Sequence, residues 1–331
     1  MSKILIIFTG GTISMSIDKN LGAAVPNLSS DDILGMIKNL DEFSEIEVLN
    51  YGEFPGPQIS PEKMMELSML IQENIKREDI QGVILTHGTD TLEETAFFLD
   101  LNLKTTKPVV IVGAMRNASE LGYDGPSNLA AAIVTVKSPE SADQGVLVVL
   151  NNEVNAAREV TKTNTLSLDT FKSTEFGPLG IVDNNEVLFF RKRVHYSQIL
   201  VDHFEKEVYL LKSYAGMDRS LIDFLVKKGA RGIVIEAMGR GNLPPLVVKA
   251  IKDAIKQDVI VVIVSRCPSG RVLGTYGYEG GGKFIKDLGA FFGTNLNGQK
   301  TRIKLMLALA YTQEYSQLKK IMESDSYICI S

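Results

Sequence analysis

Residues 82–85 (Gly-Val-Ile-Leu) form a short apolar run that breaks at once into Thr86-His87-Gly88-Thr89-Asp90-Thr91. A helical pattern follows, with Leu92, Ala96, Phe97 and Leu99 along one side. An apolar, β-branched run of that length bounded by turn residues reads as a buried strand. Open parallel sheets are built from such strand–turn–helix units, and they hold their ligands at the carboxyl ends of the strands. Gly88 lets backbone approach a substrate closely. Thr89 offers a hydroxyl as nucleophile or donor, and Asp90 can fix a charged group. The simpler reading of the same residues is a helix cap, with Asp90 and Thr91 capping the helix from Leu92 onward. The stretch alone does not choose between the two.

The same rhythm runs through the chain. Residues 3–8 (KILIIF) read as the first strand, and residues 9–13 (TGGTI) as a turn with two glycines between threonines. Residues 14–30 read as an irregular, mobile loop, 31–40 as a helix and 46–51 as a strand. Ser60 and Pro61 give an N-cap followed by proline at the first helical position. The helix they open runs to Arg77 with Met64, Leu67, Ile71 and Ile75 on one face. After the stretch described first come a strand at 109–112, the polar loop 117–126, a helix at 127–136 and a strand at 146–150. Residues 154–163 carry no helical stripe and read as a hairpin or bent ribbon. Lys162 sits on that ribbon between two threonines, where a solvated charge is the simpler reading.

A connection at 186–206 includes the basic run Arg191-Lys192-Arg193. Beyond it the alternation resumes: strands at 208–214, 232–237 and 259–265, helices at 219–228 and 244–256. The loop 266–282 is rich in glycine. Helices near 283–288, 299–311 and 317–323 follow, with 327–330 as a last strand. Alternation of this kind predicts a largely parallel sheet. A chain of 331 residues exceeds what one core usually serves. The expectation is therefore α/β: a doubly wound, mostly parallel N-terminal domain over 1–189, a linker over 190–206 and a smaller α/β C-terminal domain over 207–331.

Composition narrows the function. Hydrophobic content of 44% and charged content of 23% are ordinary for a globular protein. A net charge of −5 without a long basic run argues against nucleic acid as a partner. The N-terminal apolar run is too short for a membrane span or a signal-peptide core. The two cysteines, Cys267 and Cys329, are expected to be free thiols, which fits the cytoplasm. No dinucleotide fingerprint G-x-G-x-x-G follows the first strand, and no P-loop is present. The three histidines, His87, His195 and His203, lack carboxylate or cysteine partners at ligand spacing, so no metal and no cofactor are expected. His87 reads as a packed strand-end histidine.

What remains is hydroxyls, a carboxylate and a lysine. Thr12 follows the first strand and Thr89 the strand at 82–85, so a parallel sheet places both at one edge. A threonine hydroxyl becomes a nucleophile only when a neighbouring base takes its proton. A paired, partly buried lysine can be that base, with a carboxylate orienting it. Thr89, Asp90 and Lys162 have the chemistry for such a relay.

At these residues the chain resembles the bacterial-type L-asparaginases. TGGTIS (9–14) and GVILTHGTDTL (82–92) are similar to that family's two signature segments. PVVIVGAMR (108–116), DGPSNL (124–129), REVTKTNT (158–165), STEFGPLG (173–180), GRGNL (239–243) and NGQKTRIKLMLAL (297–309) extend the likeness in order along nearly the whole chain. The resemblance implies hydrolysis of L-asparagine to L-aspartate and ammonia without metal or cofactor, in a homotetramer (a dimer of dimers) or a homodimer whose sites lie between subunits. It implies Thr12 as nucleophile, and Thr89, Lys162 and Asp90 as the relay, Asp90 also holding the substrate ammonium group. Gln58, Gly88, Ala114, Asn242 and Glu279 match substrate-binding positions, Glu279 that of a carboxylate supplied by the neighbouring subunit. Pro57 stands where the family has a serine, keeping only the backbone carbonyl, and Ser60 is a candidate replacement. A broader asparaginase–glutaminase is the alternative within the class. A non-catalytic amino-acid sensor on the same fold is the alternative outside it, although no catalytic hydroxyl and no relay lysine is missing.

One departure concerns the flap after the first strand, where the family carries a tyrosine. Residues 14–30 contain none, and the matching position is near Ala24 or Val25. Tyr276 and Tyr278 lie just before Glu279 in the glycine-rich loop, and one or the other is expected to enter a neighbouring site with Glu279 in its place; the simpler reading is that both pack at the subunit interface.

Overall fold

The computed structural model describes residues 2–38, 45–193 and 198–324. These separate into two compact units, Met1–Val194 and His195–Ser331. The expected strand at 327–330, Cys329 and His195 lie outside the described residues.

The first unit opens with β1 (Lys3–Phe8), a hairpin of β2 (Met15–Asp18) and β3 (Ala23–Pro26), helix α1 (Ser30–Gly35) and β4 (Glu45–Asn50). Then come α2 (Pro61–Asn74), β5 (Ile80–Thr86), α3 (Leu92–Asn102), β6 (Val109–Val112), α4 (Gly125–Lys137) and β7 (Val146–Leu150). The unit ends with β8 (Glu153–Ala156), the two-residue strands β9 (Thr161–Lys162) and β10 (Phe171–Lys172), β11 (Gly180–Asp183) and β12 (Glu186–Phe189). One eight-stranded sheet runs β4-β1-β5-β6-β7-β8-β11-β12. The pairs from β4 to β7 are parallel, and those from β7 to β12 antiparallel.

In order of appearance the five parallel strands lie 2-1-3-4-5. The chain leaves β1 toward one edge for β4, then crosses back to β5 and continues the other way. The switch point of such a sheet lies between the carboxyl ends of its first and third strands, where ligands bind. Here those ends are Phe8 and Thr86, which are register partners. Side chains alternate across a strand. Ile4, Ile6, Phe8, Ile84, Val110 and Val112 accordingly share one core with Ile33, Leu129 and Ile133. Leu5, Ile7, Val83, Leu85 and Ile111 are fully buried on the opposite face. The stripe Met64, Leu67, Ile71 and Ile75 is buried as its spacing predicts.

Four local expectations are corrected. Residues 14–30 are not an irregular loop: β2 and β3 pair antiparallel, Met15 with Pro26 through Asp18 with Ala23. The Asp18 carboxylate accepts from the backbone N–H of Asn20 and Leu21, and Gly22 takes a φ of +63°, which closes the turn. The helix expected at 31–40 ends at Gly35, started by a reciprocal cap between Ser29 and Asp32. Ser60 sits at the N-cap of α2 with Pro61 next, but its side chain accepts no capping bond. The ribbon read at 154–163 begins earlier. Asn151 and Asn152 both take positive φ, 50° and 61°, and form the two-residue turn between β7 and β8 that such a pair favours.

The stretch read as a connection starts with β12 and then supplies two ion pairs to the first unit. Arg191 pairs with Glu159, and the buried Arg193 with the buried Asp100.

The second unit has a four-stranded parallel sheet of β13 (Val208–Lys212), β14 (Gly232–Ala237), β15 (Ile260–Ser265) and β16 (Phe291–Phe292), in that order. Its helices are α5 (Ser220–Lys228), α6 (Pro245–Ile255), α7 (Gly282–Asp287), α8 (Gly298–Tyr311) and α9 (Tyr315–Glu323). Ile222, Val247 and Ile251 close one face of the sheet with Ile233, Ile235, Val261 and Ile263. Among the described residues no helix is long and apolar enough to cross a membrane, and no group of three or more potential ligands could hold a metal ion.

Candidate active site

Three turns meet backbone to backbone at the switch point. Gly10 and Gly11 take φ of +100° and +84°, a region that L side chains rarely enter. A β-carbon at Gly11 would lie 2.4 Å from the backbone nitrogen of Gly88, and one at Gly88 would lie 2.5 Å from that of Gly56. The glycines therefore let the turn after β1, the turn after β5 and the loop before α2 touch. Thr12 follows the first, Thr89 follows the second, and Pro57 and Gln58 follow the third. Thr12 opens a short 3-10 turn, Thr12–Ser14, and is half-buried; Pro57 and Gln58 are exposed. Thr9 ties β1 to β5, its hydroxyl donating to the Thr86 carbonyl at 2.6 Å.

Lys162, on β9, reaches the same turn. Its Nζ donates to Thr89 Oγ1 at 3.0 Å and to Asp90 Oδ1 at 2.8 Å. Its side chain is only 20% exposed, so it is not a solvated charge, whereas the Asp90 carboxylate is 62% exposed. The backbone holds the lysine in place: its N–H donates to Glu93 Oε2 at 2.8 Å, and β9 pairs Lys162 with Phe171 of β10. Asp90 and Thr91 do not cap α3 with their side chains. The Thr91 hydroxyl instead donates to the Gly56 carbonyl at 2.6 Å, tying this turn to the Pro57–Gln58 loop.

His87 is wholly buried beneath Thr89. A carbonyl can only accept, so Nδ1 carries the proton given to Gly88 O at 2.8 Å, and Nε2 accepts from the Thr95 hydroxyl at 2.8 Å. Burial pushes the imidazole down to about 4 from its ordinary 6.5, partly offset by the bond to Gly88. A group with a depressed pKa in the native state contributes stability above its unfolded pKa and loses it as pH falls toward the folded one. Acidification from pH 6.5 to about 4 should thus cost about 3 kcal/mol through His87. Urea unfolding at both pH values tests this. The wild type should lose more stability than His87→Gln does, and equal losses would show that the imidazole is not the group responsible.

Ala114 lies two residues beyond the end of β6 and is fully buried. The loop beyond it is organised by Asp124, whose carboxylate accepts from the N–H groups of Met115 and Arg116 and from Asn128 Nδ2. Asn242 and Glu279 belong to the second unit. Asn242 Oδ1 accepts from Gly282 N at 3.3 Å; Glu279 is exposed and lies 3.8 Å from Lys249 Nζ. Tyr276 and Tyr278 are exposed, their rings 5.9 Å apart. Sequence reading passed over Glu93, Thr95 and Asp124. Only Asp124 carried a visible signal, as the first residue of DGPSNL.

The family model for the asparaginase N-terminal domain matches residues 3–195, and that for the glutaminase/asparaginase C-terminal domain matches residues 207–322. The chain is 35% identical to L-asparaginase 2 of Bacillus subtilis (strain 168), covering 96% of this chain and 85% of that protein. It is 34% identical to L-asparaginase 2 of Escherichia coli (strain K12), over 97% and 92%. The crystal structure of a probable cytoplasmic L-asparaginase from Campylobacter jejuni superposes with a TM-score of 0.87 at 30% identity, covering 97% of this chain and 99% of that one. A relative from Haemophilus influenzae, 33% identical over 98% of this chain and 93% of that protein, is called a probable periplasmic L-asparaginase. With both domain models matched in order and relatives aligned over nearly its full length, the chain belongs to the asparaginase family and is an amide hydrolase of the L-asparaginase type.

Proposed function

We propose that the enzyme hydrolyses the side-chain amide of L-asparagine through a covalent ester on Thr12. The observation that carries this reading is the contact of Lys162 Nζ with both Thr89 Oγ1 and Asp90 Oδ1, on a turn whose backbone abuts that of Thr12. Thr12 Oγ1 attacks the amide carbon, the C–N bond breaks, and nitrogen leaves as ammonia with the proton that Thr12 gave up. Water then cleaves the ester. With the Lys162 amine unprotonated at this step, Thr89 takes a proton from that water while passing its own to the amine, and Asp90 balances the charge the lysine then carries. The proton returns to Thr12 as aspartate departs. Asp90 also receives the substrate ammonium group, for which its exposed carboxylate is suited. Gln58, the Pro57 carbonyl, Gly88 and Ala114 line the rest of the substrate's path, and Asn242 and Glu279 complete a site in a homotetramer or homodimer. No metal or other cofactor takes part, and the working location is the cytoplasm.

The test is ammonia release from the two amides. Asparagine should outperform glutamine in kcat/KM by roughly tenfold or more, because one extra methylene misplaced in a fitted site commonly costs about that much. Equal values for the two substrates would make the enzyme an asparaginase–glutaminase.

Thr12 needs an acceptor for its proton within about 3 Å in the productive complex, and the β2–β3 hairpin carries no phenol. The exposed Tyr276 or Tyr278 of a neighbouring subunit fills that role together with Glu279. Changing the responsible tyrosine to phenylalanine should lower kcat by roughly 100-fold while packing is kept. Mixed oligomers of that variant with Thr12→Ala subunits should regain activity. Normal kcat in both Tyr→Phe variants, or no recovery once hetero-oligomers have formed, would exclude action in trans.

A further inference from the structure

The polar loop after β6 reaches back to the turn that carries Thr12. The Tyr123 hydroxyl donates to the carbonyl oxygen of Ile13 at 2.5 Å, joining residues 110 positions apart. Two more bonds extend the seam into the hairpin: Ala118 N–H donates to the Met15 carbonyl at 2.9 Å, and Ser119 Oγ accepts from Ile17 N–H at 2.9 Å. On the other side of the hairpin, the Ser14 carbonyl accepts from the N–H groups of Asn27 and Leu28.

The phenol is itself held at its root. The next residue, Asp124, is buried and gathers the N–H groups of Met115 and Arg116. Asn128 bonds both the Asp124 carboxylate and the Gly113 carbonyl. The tyrosine ring crosses Gly125 so closely that a β-carbon there would lie 2.4 Å from the phenolic oxygen. Glycine at 125 is thus what admits the ring. Burial and the Asp124 charge push the phenol above its ordinary pKa, so it remains a donor.

We infer that Tyr123 is a positioning residue for the nucleophile: by fixing the carbonyl of the residue after Thr12 it sets the direction of the Thr12 side chain and the root of the hairpin. The inference rests on Thr12 being the nucleophile. It differs from the phenol expected in trans, because the Tyr123 hydroxyl is already spent on Ile13 and takes no proton from Thr12.

Tyr123→Phe keeps the ring over Gly125 and removes only the donor. The expected result is a fall in kcat for asparagine of roughly 10- to 100-fold, as a misplacement of about 1 Å can produce, with KM changed by no more than about twofold. Hydrogen–deuterium exchange should quicken in residues 13–28 and stay unchanged in β5 and β6. Gly125→Ala drives the ring aside with its hydroxyl intact and should cause the same loss. Combined with Tyr123→Phe it should cost nothing further, since both changes break one interaction. Normal kcat in Tyr123→Phe overturns the inference, and so does a loss of kcat with unchanged exchange in 13–28. A wrong nucleophile has a separate signature, activity in Thr12→Ala, and that result leaves the exchange measurement as it stands.

Discussion

Thr12→Ala should abolish turnover, by roughly 10³-fold or more, and leave the fold intact. The loss is large because the hydroxyl is proposed to form the bond that breaks the amide. Stability should hardly change. The side chain is half-buried and small, and the turn is shaped by Gly10 and Gly11 with the Ser14 N–H bonded to the Gly11 carbonyl. Thr89→Ala should lose activity to a similar degree, through the second half of the reaction. Its hydroxyl is buried and bonded to Lys162. Removing it leaves the amine bonded to Asp90, so no cation is stranded. Steady-state ammonia release and thermal unfolding of the two variants check this. More than a tenth of the wild-type rate in Thr12→Ala would sink the nucleophile assignment.

Lys162→Met should be nearly inactive, with kcat down by roughly 10²-fold or more. Methionine keeps most of the stem's volume and apolar contact, so packing is conserved while the amine is lost. The backbone anchor to Glu93 and the pairing with Phe171 do not involve the side chain and should survive. The ion pair with the largely exposed Asp90 carboxylate is worth little to stability, because solvent screens it. The expected pattern is therefore a collapse of kcat at nearly constant melting temperature. The opposite pattern, normal kcat with lost stability, would make Lys162 a structural residue and remove the relay.

The parts of this architecture that were legible in the sequence are those that a single physical pattern specifies. Strands buried on both faces read as unbroken apolar runs, and 3–8, 109–112, 146–150 and 232–237 were found with the observed bounds. The β2–β3 hairpin was missed because it pairs only with itself and is half-exposed, so MSID and AAVP carry no alternating signal. The antiparallel extension is legible only where the ribbon at 154–163 covers β8; β11 and β12 give no signal for a related reason, being four-residue strands mixed in burial.

The site divides in the same way. Thr12 and Thr89 follow from strand ends in a parallel sheet. Lys162 lies 73 residues from Thr89 in the chain and reaches it only after the sheet has turned antiparallel. No spacing rule predicts that contact: side-chain chemistry makes the lysine a candidate, and only the resemblance to a family favours it over a solvated charge. Tyr123 was invisible to both approaches, since its role depends on the missing side chain at Gly125 and on a carbonyl in a distant turn.

The covalent ester on Thr12 is tested directly by rapid-quench mass spectrometry of the enzyme mixed with asparagine. The peptide containing Thr12 should gain the mass of one aspartyl residue during turnover, this species should persist longer in Thr89→Ala than in the wild type, and Thr12→Ala should never show it. An adduct found on another residue, or none in Thr89→Ala, would contradict the account.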